Sequence, residues 1–233
     1  MARAASTKSL FRATKPKPDK GDPLFNDLPR HDKPALRDPL DYDPTPEEVT
    51  EAFLHAEIDQ IRAHGDLVAE TALGGGHILR PLVRAGFRVR GFDVVDRNAG
   101  QIFCLGSYFD TQDRPAPIEI TNPPYNEASA KAHGRWLHHS FGLGFDYIAM
   151  LLSADWSAAR INGFDALFHD RPPSVEYLCC WKIDFRGEGS PPQRNSWFVW
   201  DVNRPPLGPN EWVRRRLYRD FTPAGQADMG FDL

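Results

Sequence analysis

The sequence predicts an α/β fold in which helices flank a mostly parallel β-sheet. Two observations support this class: short apolar runs of strand length alternate with segments of helical periodicity, and several runs end at Gly- or Pro-rich turns. The chain has 233 residues, of which 41% are hydrophobic, and this is enough for the core of one α/β domain. We therefore predict one domain over residues 41–233, preceded by a flexible, basic and Pro-rich arm over residues 1–40.

The first half of the predicted domain contains two helices and two strands. The first helix starts within 45–48, where Thr45 is placed to cap it and the following acidic residues complement the helix dipole. A short strand over 66–70 leads into a Gly-rich turn. A helix over 78–85 and a second strand over 87–93 follow.

The second half continues the same alternation and then changes character. Strands at 118–121 and 147–152 are separated by a helix over about 128–140. Three later strand-like segments indicate antiparallel strands at the sheet edge: 175–178, 181–185 and 197–201. The basic run 214–216 is interpreted either as a phosphate-binding helical turn or as a set of ion pairs with nearby acids.

Composition limits the partners that the protein can have. The net charge of −4 gives no overall attraction to a polyanion, so nucleic-acid binding would have to use local basic patches. The three cysteines lack the spacing of a disulfide framework or a zinc site, and no metal site is expected. No segment approaches the roughly 20 apolar residues that span a bilayer, so we expect a cytoplasmic protein without a membrane partner.

A Gly-rich turn at Gly74, Gly75 and Gly76 lies between a predicted strand and a predicted helix. A tight turn at this position lets the backbone approach a nucleotide-like ligand closely, although such turns also serve structural purposes. Asp93 ends the next strand, where a carboxylate can accept hydrogen bonds from two ribose hydroxyls. Together these residues predict a site for an adenosine-containing cofactor; the alternative is that Asp93 only caps the segment after it.

The tetrapeptide Asn122-Pro123-Pro124-Tyr125 directly follows a predicted strand. Because proline fixes the backbone and has no amide donor, the Asn122 side-chain oxygen and the Pro123 carbonyl can accept both hydrogens of a planar amino group. Such acceptors favour a pyramidal nitrogen over the planar ground state, which is selective binding of a transition state. Tyr125 offers a ring on which an extruded base can stack. The alternative is an ordinary turn with an exposed tyrosine.

These elements resemble motifs I, II and IV of the amino-group DNA methyltransferases. The likeness runs from about Asp43 to Asp201 and includes ETALGGGHILRPLVRAGFRVRGFDVVDR and ITNPPYN, which are also similar to small phage-borne members of the superfamily. The resemblance implies a Rossmann-like, seven-stranded sheet with a reversed terminal hairpin, and S-adenosylmethionine as cofactor. It also implies methyl transfer to an exocyclic amino nitrogen, with N6 of adenine in DNA favoured by the asparagine.

Several alternatives stay open at this point. The methyl acceptor could be N4 of cytosine in DNA, adenine in RNA, or the side-chain amide of glutamine in a protein. A module that binds nucleic acid through a decayed methyltransferase fold is the alternative that is not an enzyme. The oligomeric state does not follow from the sequence.

The resemblance also assigns roles to individual residues. Asn122, Pro123, Pro124 and Tyr125 would form the catalytic loop. Seven residues would contact the cofactor: Thr45, Glu70, Gly74, Gly75, Gly76, Asp93 and Asp110. Glu70 and the glycines would border its methionine moiety, Asp93 its ribose and Asp110 its adenine amino group, while Thr45 occupies the Thr-Pro helix start of motif X.

Overall fold

The computed structural model describes residues 42–100, 102–187, 189, 191 and 193–220. The predicted arm over residues 1–40 lies outside the described residues and stays a prediction. Within the described ranges, no helix combines the length and the apolar character that a membrane crossing requires.

The described residues form five α-helices and eight β-strands. The helices are α1 (Glu47–Arg62), α2 (Leu79–Arg84), α3 (Tyr125–Ala128), α4 (Arg135–Leu143) and α5 (Phe164–Asp170). The strands are β1 (Leu67–Glu70), β2 (Arg88–Asp93), β3 (Ile102–Leu105), β4 (Ile118–Thr121), β5 (Tyr147–Ser153), β6 (Val175–Cys179), β7 (Asn195–Asp201) and β8 (Val213–Leu217). Single 3-10 turns lie at Tyr108–Asp110, Ala130–Ala132 and Trp156–Ala158.

All eight strands belong to one sheet with the order β3-β2-β1-β4-β5-β7-β6-β8. β1 to β5 are parallel, whereas β7 runs antiparallel between β5 and β6. This topology confirms the predicted α/β class and the reversed terminal hairpin. The sheet has eight strands rather than seven, because β8 pairs in parallel with β6.

The basic run 214–216 lies in β8, so its interpretation as a helical turn is wrong. Pairing with β6 over five residues holds this segment extended. The alternative interpretation, ion pairing, holds for Arg214, whose Nη2 donates to Oε1 of the buried Glu176 at 2.8 Å. The guanidinium of Arg215 instead lies over the ring of Tyr177, 5.9 Å from its centroid.

Different helices bury the two faces of the sheet. Successive side chains of a strand point to opposite faces, and β5 shows this alternation along its length. Tyr147 and Leu151 pack in one cluster with α1 and α2, whereas Ile148 and Leu152 pack in the other cluster with α4 and α5. The helices therefore cover both faces, and the loops at the carboxyl edge of the sheet remain as the place for a site.

Helix α1 forms where the sequence predicts a helix, but its start differs. Val49, Phe53 and Ile61 are fully buried on one stripe, as their spacing indicates. The predicted capping role of Thr45 is wrong, because the helix begins at Glu47 and no side chain of the described residues caps its first turn. The hydroxyl of Thr45 is bonded elsewhere, to a residue of the site.

The predicted helix over about 128–140 is interrupted in the structure. His133 and Gly134 adopt left-handed backbone angles, with φ of 57° and 61°, which no α-helix can continue through. The break separates α3 from α4 and allows α4 to start at Arg135. A four-residue strand, β3, was not predicted.

Residues 181–185 form a loop rather than the predicted strand. The carboxylate of Asp184 accepts hydrogen bonds from the backbone amides of Arg186 at 3.3 Å and Gly189 at 2.6 Å. These local bonds turn the chain and compete with pairing in a sheet. The segment therefore becomes part of the long connection between β6 and β7.

Candidate functional site

The predicted site residues meet at the carboxyl edge of three neighbouring strands. β1 lies between β2 and β4 and is parallel to both. The Gly-rich loop follows β1, Asp93 ends β2, and Asn122 follows β4. Parallel strands place their carboxyl ends together, and a site at this edge is a general property of such sheets.

Asp93 joins the end of β2 to the Gly-rich loop. Its Oδ2 accepts a hydrogen bond from the backbone amide of Gly74 at 2.6 Å, and its Oδ1 accepts one from the amide of Val95 at 3.0 Å. The structural role considered as an alternative is therefore present. Because each carboxylate oxygen has two lone pairs, these bonds leave Asp93 further capacity to accept hydrogen bonds from a ligand.

The Gly-rich loop needs glycine for two physical reasons. Gly74 and Gly76 have φ of 53° and 76°, a backbone conformation that residues with a Cβ rarely adopt. A Cβ on Gly74 would also lie 2.6 Å from Cε2 of Tyr42. The ring of Tyr42 thus packs directly on the loop, and the guanidinium of Arg97 lies over that ring, 4.2 Å from its centroid.

Two fully buried carboxylates lie beneath the loop. Oε1 of Glu70 accepts a hydrogen bond from Thr121 of β4 at 2.8 Å, and Oε1 of Glu119 accepts one from Thr71 at 2.6 Å. These bonds cross between β1 and β4 and fix the start of the loop to the strand that precedes the tetrapeptide. Glu70 also accepts a bond from the amide of Ala72 at 3.3 Å.

Burial changes the protonation of both acids. It raises the pKa of Glu119 to about 7, although hydrogen bonds from Thr71 and neighbouring groups oppose the shift. Burial raises the pKa of Glu70 well above its usual value, and the nearby carboxylate of Glu119 contributes to that shift. Water solvates a carboxylate far better than a protein interior does, so burial stabilises the neutral acid relative to the carboxylate.

The Asn122 side chain has one bonded end and one unbonded end. Its Nδ2 donates to Oγ1 of Thr45 at 3.0 Å and approaches the carbonyl oxygen of Asp43 at 3.5 Å. Because a backbone carbonyl can only accept, these neighbours fix which end of the amide is nitrogen. Oδ1 of Asn122 is buried and has no hydrogen-bond partner among the described residues. A buried acceptor without a donor is costly and indicates a place for a ligand's donor.

Tyr125 follows the two prolines as the first residue of α3. Its ring forms part of the wall of a pocket of about 240 Å³. The walls of this pocket are mostly apolar and come from α3, the 3-10 turns and the end of β5: Tyr125, Ser129, Ala130, Leu152, Ser153, Asp155, Trp156 and Ala159. The pocket thus adjoins the tetrapeptide and has a few polar groups at the carboxyl end of β5.

The remaining predicted residues take different positions. Thr45 is 4% exposed and contacts Asn122 rather than the Gly-rich loop. Asp110 is exposed at the end of the 3-10 turn that follows β3, and the buried Tyr108 of the same turn hydrogen-bonds to Ser140 of α4 at 3.1 Å. The structure therefore brings Thr45 to the tetrapeptide and packs the turn that contains Asp110 against α4.

Sequence reasoning missed two residues at the site. Tyr42 packs on the Gly-rich loop, and the side-chain amide of Asn195 donates to the hydroxyl of Tyr125 at 2.7 Å. Asn195 is 70 positions from Tyr125 along the chain. Neither residue belongs to a local motif. The only sequence signal for Asn195 is that it is a polar residue directly before an apolar strand-like run.

No protein-family model matches the chain, and no curated protein matches it. Solved structures do resemble it. A Listeria monocytogenes protein assigned to the class I S-adenosylmethionine-dependent methyltransferases superposes with a TM-score of 0.52 at 12% identity, over 76% of this chain and 67% of that one. A Pyrococcus horikoshii protein assigned as an RNA methyltransferase gives a TM-score of 0.51 at 15% identity, over 66% and 81%.

A third similar structure comes from a restriction system. The modification subunit assigned to a type I restriction enzyme of Vibrio vulnificus gives a TM-score of 0.50 at 12% identity, over 72% of this chain. The match spans 48% of the Vibrio chain, so this protein corresponds to about half of that subunit. At these identities the likeness concerns the fold, and this chain has the Rossmann-like α/β fold of these methyltransferases.

Proposed function

We propose that the protein is an S-adenosylmethionine-dependent methyltransferase that modifies an exocyclic amino nitrogen, with N6 of adenine in DNA as its target. The observation that carries the proposal is Oδ1 of Asn122, which has no hydrogen-bond partner in the described part of the chain and lies at the carboxyl end of β4 beside the Gly-rich loop. An acceptor held in this way suits the N–H of an amino group. Thr45 holds the other end of the amide and thereby sets its orientation.

The chemistry requires two acceptors rather than a strong base. Oδ1 of Asn122 and the carbonyl oxygen of Pro123 accept the two hydrogens of the amino group and favour its pyramidal form. The nitrogen lone pair, no longer conjugated with the ring, would form the new N–C bond as the methyl–sulfur bond of the cofactor breaks and its electron pair stays on sulfur. The extra proton on nitrogen would pass to solvent afterwards. Both oxygens act out of water, where hydrogen bonds to a developing positive charge are strong.

The residues at the same edge fit the proposed cofactor. S-adenosylmethionine, when bound, supplies an electrophilic methyl group on a positively charged sulfur. Asp93 retains acceptor capacity for ribose hydroxyls, and the tight turn at Gly74 and Gly76 lets the backbone approach closely. Glu70 fixes the loop that would border the methionine moiety, and Asp110 is the candidate for the adenine amino group.

The pocket beside Tyr125 supports a base as the substrate. Its apolar walls suit a flat heterocycle, and the tyrosine ring provides a stacking surface. The fold is shared with an assigned DNA modification subunit and with an assigned RNA methyltransferase. We favour adenine because the tetrapeptide begins with asparagine, and DNA because the motifs resemble those of the amino-group DNA methyltransferases. RNA, cytosine N4 and protein glutamine are the other possible outcomes of the test.

A labelling experiment tests the proposal. Purified protein is incubated with methyl-labelled S-adenosylmethionine and separate pools of duplex DNA, single-stranded DNA, RNA and protein, and the labelled pool is digested for mass spectrometry. The proposal expects N6-methyladenine in DNA from the wild type and none from Asn122→Ala. Label confined to RNA or protein would overturn the substrate, and no label in any pool would overturn the activity.

A further inference from the structure

Asn195 is a buried polar residue that bonds to the tetrapeptide from a distant strand. It begins β7, is 0% exposed, and its Nδ2 donates to Oη of Tyr125 at 2.7 Å. In the antiparallel pairing of β5 with β7, Asn195 lies opposite Ser153. Ser153 and Tyr125 both line the pocket beside the tetrapeptide, so Asn195 stands directly behind two of its walls.

The burial of this amide is not explained by stability. Oδ1 of Asn195 is buried and has no partner among the described residues. A buried polar group with one end unbonded costs free energy that an apolar residue would avoid. From the third residue onward β7 is apolar: Trp197, Phe198 and Val199 are fully buried, as expected for a central strand.

The bond constrains Tyr125 at the end of its side chain. The phenol oxygen accepts this hydrogen bond from Nδ2 of Asn195. The backbone of Tyr125 is already fixed because it follows two prolines and starts α3. With the hydroxyl also held, rotation about the two side-chain torsions is restricted, and the ring keeps one orientation at the pocket wall.

We infer that Asn195 is a positioning residue that acts through Tyr125 to set the plane in which the target base lies. This inference rests on the proposed function, because it assigns the pocket to a base. A ring held in one plane places the amino group of a stacked base at a fixed height relative to Oδ1 of Asn122, three residues earlier. Asn195 itself does not touch the substrate.

A double-mutant cycle tests the inference on the full chain. Asn195→Ala and Tyr125→Phe each remove one partner of the same bond, so each is expected to lower single-turnover methylation by about five- to tenfold, the value of one hydrogen bond. The double variant is expected to be no slower than either single variant. Losses that multiply in the double variant would overturn the inference.

A matched control separates positioning from packing. Ser196→Ala removes another buried polar group of β7, whose hydroxyl donates to Glu176 at 2.8 Å and not to Tyr125. This variant is expected to keep the wild-type methylation rate. An equal loss of rate in Ser196→Ala would assign the effect of Asn195→Ala to the strand as a whole and would overturn the inference.

A readout without turnover keeps this inference distinct from the proposed function. Ring-labelled tyrosine NMR follows Tyr125, identified by its loss in Tyr125→Phe. Asn195→Ala is expected to shift and average the ring signals of Tyr125. If the alanine variant does not fold, the more conservative Asn195→Ser is used in its place. Unchanged Tyr125 signals would overturn the inference, whereas absence of wild-type methylation on every pool would overturn the proposed function alone.

Discussion

The side-chain amide of Asn122 donates from Nδ2 to Oγ1 of Thr45 at 3.0 Å, while its Oδ1 is buried without a partner among the described residues. A segment that precedes the first helix thus determines the orientation of the residue that follows β4. The same segment places Tyr42 on the Gly-rich loop, and the carboxylate of Asp43 pairs with Arg186 of the β6–β7 connection at 2.8 Å. Residues 42–45 therefore join the tetrapeptide, the Gly-rich loop and the β6–β7 connection.

Replacement of Thr45 by valine is expected to lower kcat by about tenfold, because the Asn122 amide loses the acceptor that orients it. The affinity for S-adenosylmethionine, measured by calorimetry, is expected to stay the same. Thr45→Ser keeps the hydroxyl and should retain most of the rate. The matched control is Thr50→Val, since Thr50 is fully buried and its hydroxyl has no partner among the described residues. A loss of cofactor affinity in Thr45→Val would return Thr45 to the cofactor-binding role that the sequence suggests.

Asp93→Ala is expected to weaken cofactor binding by about 1.5–3 kcal/mol, the value of hydrogen bonds to a charged group. Calorimetric titration with S-adenosylmethionine measures the change. Asp96→Ala is the control, because the carboxylate of Asp96 accepts a hydrogen bond from the backbone amide of Asn98 at 2.7 Å. If the affinity of Asp93→Ala equals that of the wild type, Asp93 only fixes the loop.

Gly74→Ala is expected to destabilise the protein more than Gly86→Ala. Both glycines have positive φ, so alanine costs about 1–2 kcal/mol of backbone strain at either position. A Cβ at Gly86 would have no described residue within 4 Å, whereas a Cβ at Gly74 would lie 2.6 Å from the ring of Tyr42. Thermal unfolding gives both values, and Tyr42→Ala should recover the excess loss of Gly74→Ala. Equal losses of stability at the two glycines would show that the ring of Tyr42 moves away from the loop without a cost in free energy.

The stability of the protein is expected to fall as the pH rises from about 4.5 to about 7. The pKa of Glu119 is raised by burial from 4.5 to about 7, so the folded state holds its proton in a pH range where the unfolded chain releases it. The stabilisation is complete below about 4.5 and lost by about 7, an effect on the order of 3 kcal/mol at 1.36 kcal/mol per pKa unit.

Chemical denaturation at several pH values measures this dependence. Glu119→Gln keeps the shape and removes the charge, so its unfolding free energy should fall less steeply over the same range. Glu70 remains in that variant and, with its own raised pKa, contributes a residual slope. An identical slope in the wild type and in Glu119→Gln would mean that Glu119 has the same protonation in the folded and unfolded states over this pH range, which would contradict its raised pKa.

The sequence predicts those parts of the fold and site that depend on local patterns. β1, β2, β4 and β5 follow from short apolar runs, and the Gly-rich loop, Asp93 and the tetrapeptide each adjoin one of them. Because parallel strands end at one edge, these motifs had to meet.

The parts that were missed depend on contacts between distant segments. Asn195 and Tyr42 reach the site through β7 and through the segment before α1, and no spacing in the sequence connects them with Tyr125 or Gly74. The strand β8 is basic, and its pairing with β6, rather than its own propensity, keeps it extended. The break between α3 and α4 depends on left-handed backbone angles at His133. No pattern in the sequence predicts this conformation for a histidine at that position.

Cofactor binding and turnover in Asn122→Ala give the most direct test of the proposed catalytic loop. Methyl transfer is expected to fall by about 100-fold or more, as when an oriented transition-state partner is removed, while the calorimetric affinity for S-adenosylmethionine is expected to equal that of the wild type. Asn126→Ala, an exposed asparagine in α3, should behave as the wild type in both measurements. Undiminished turnover in Asn122→Ala would contradict the proposed role of its side-chain oxygen.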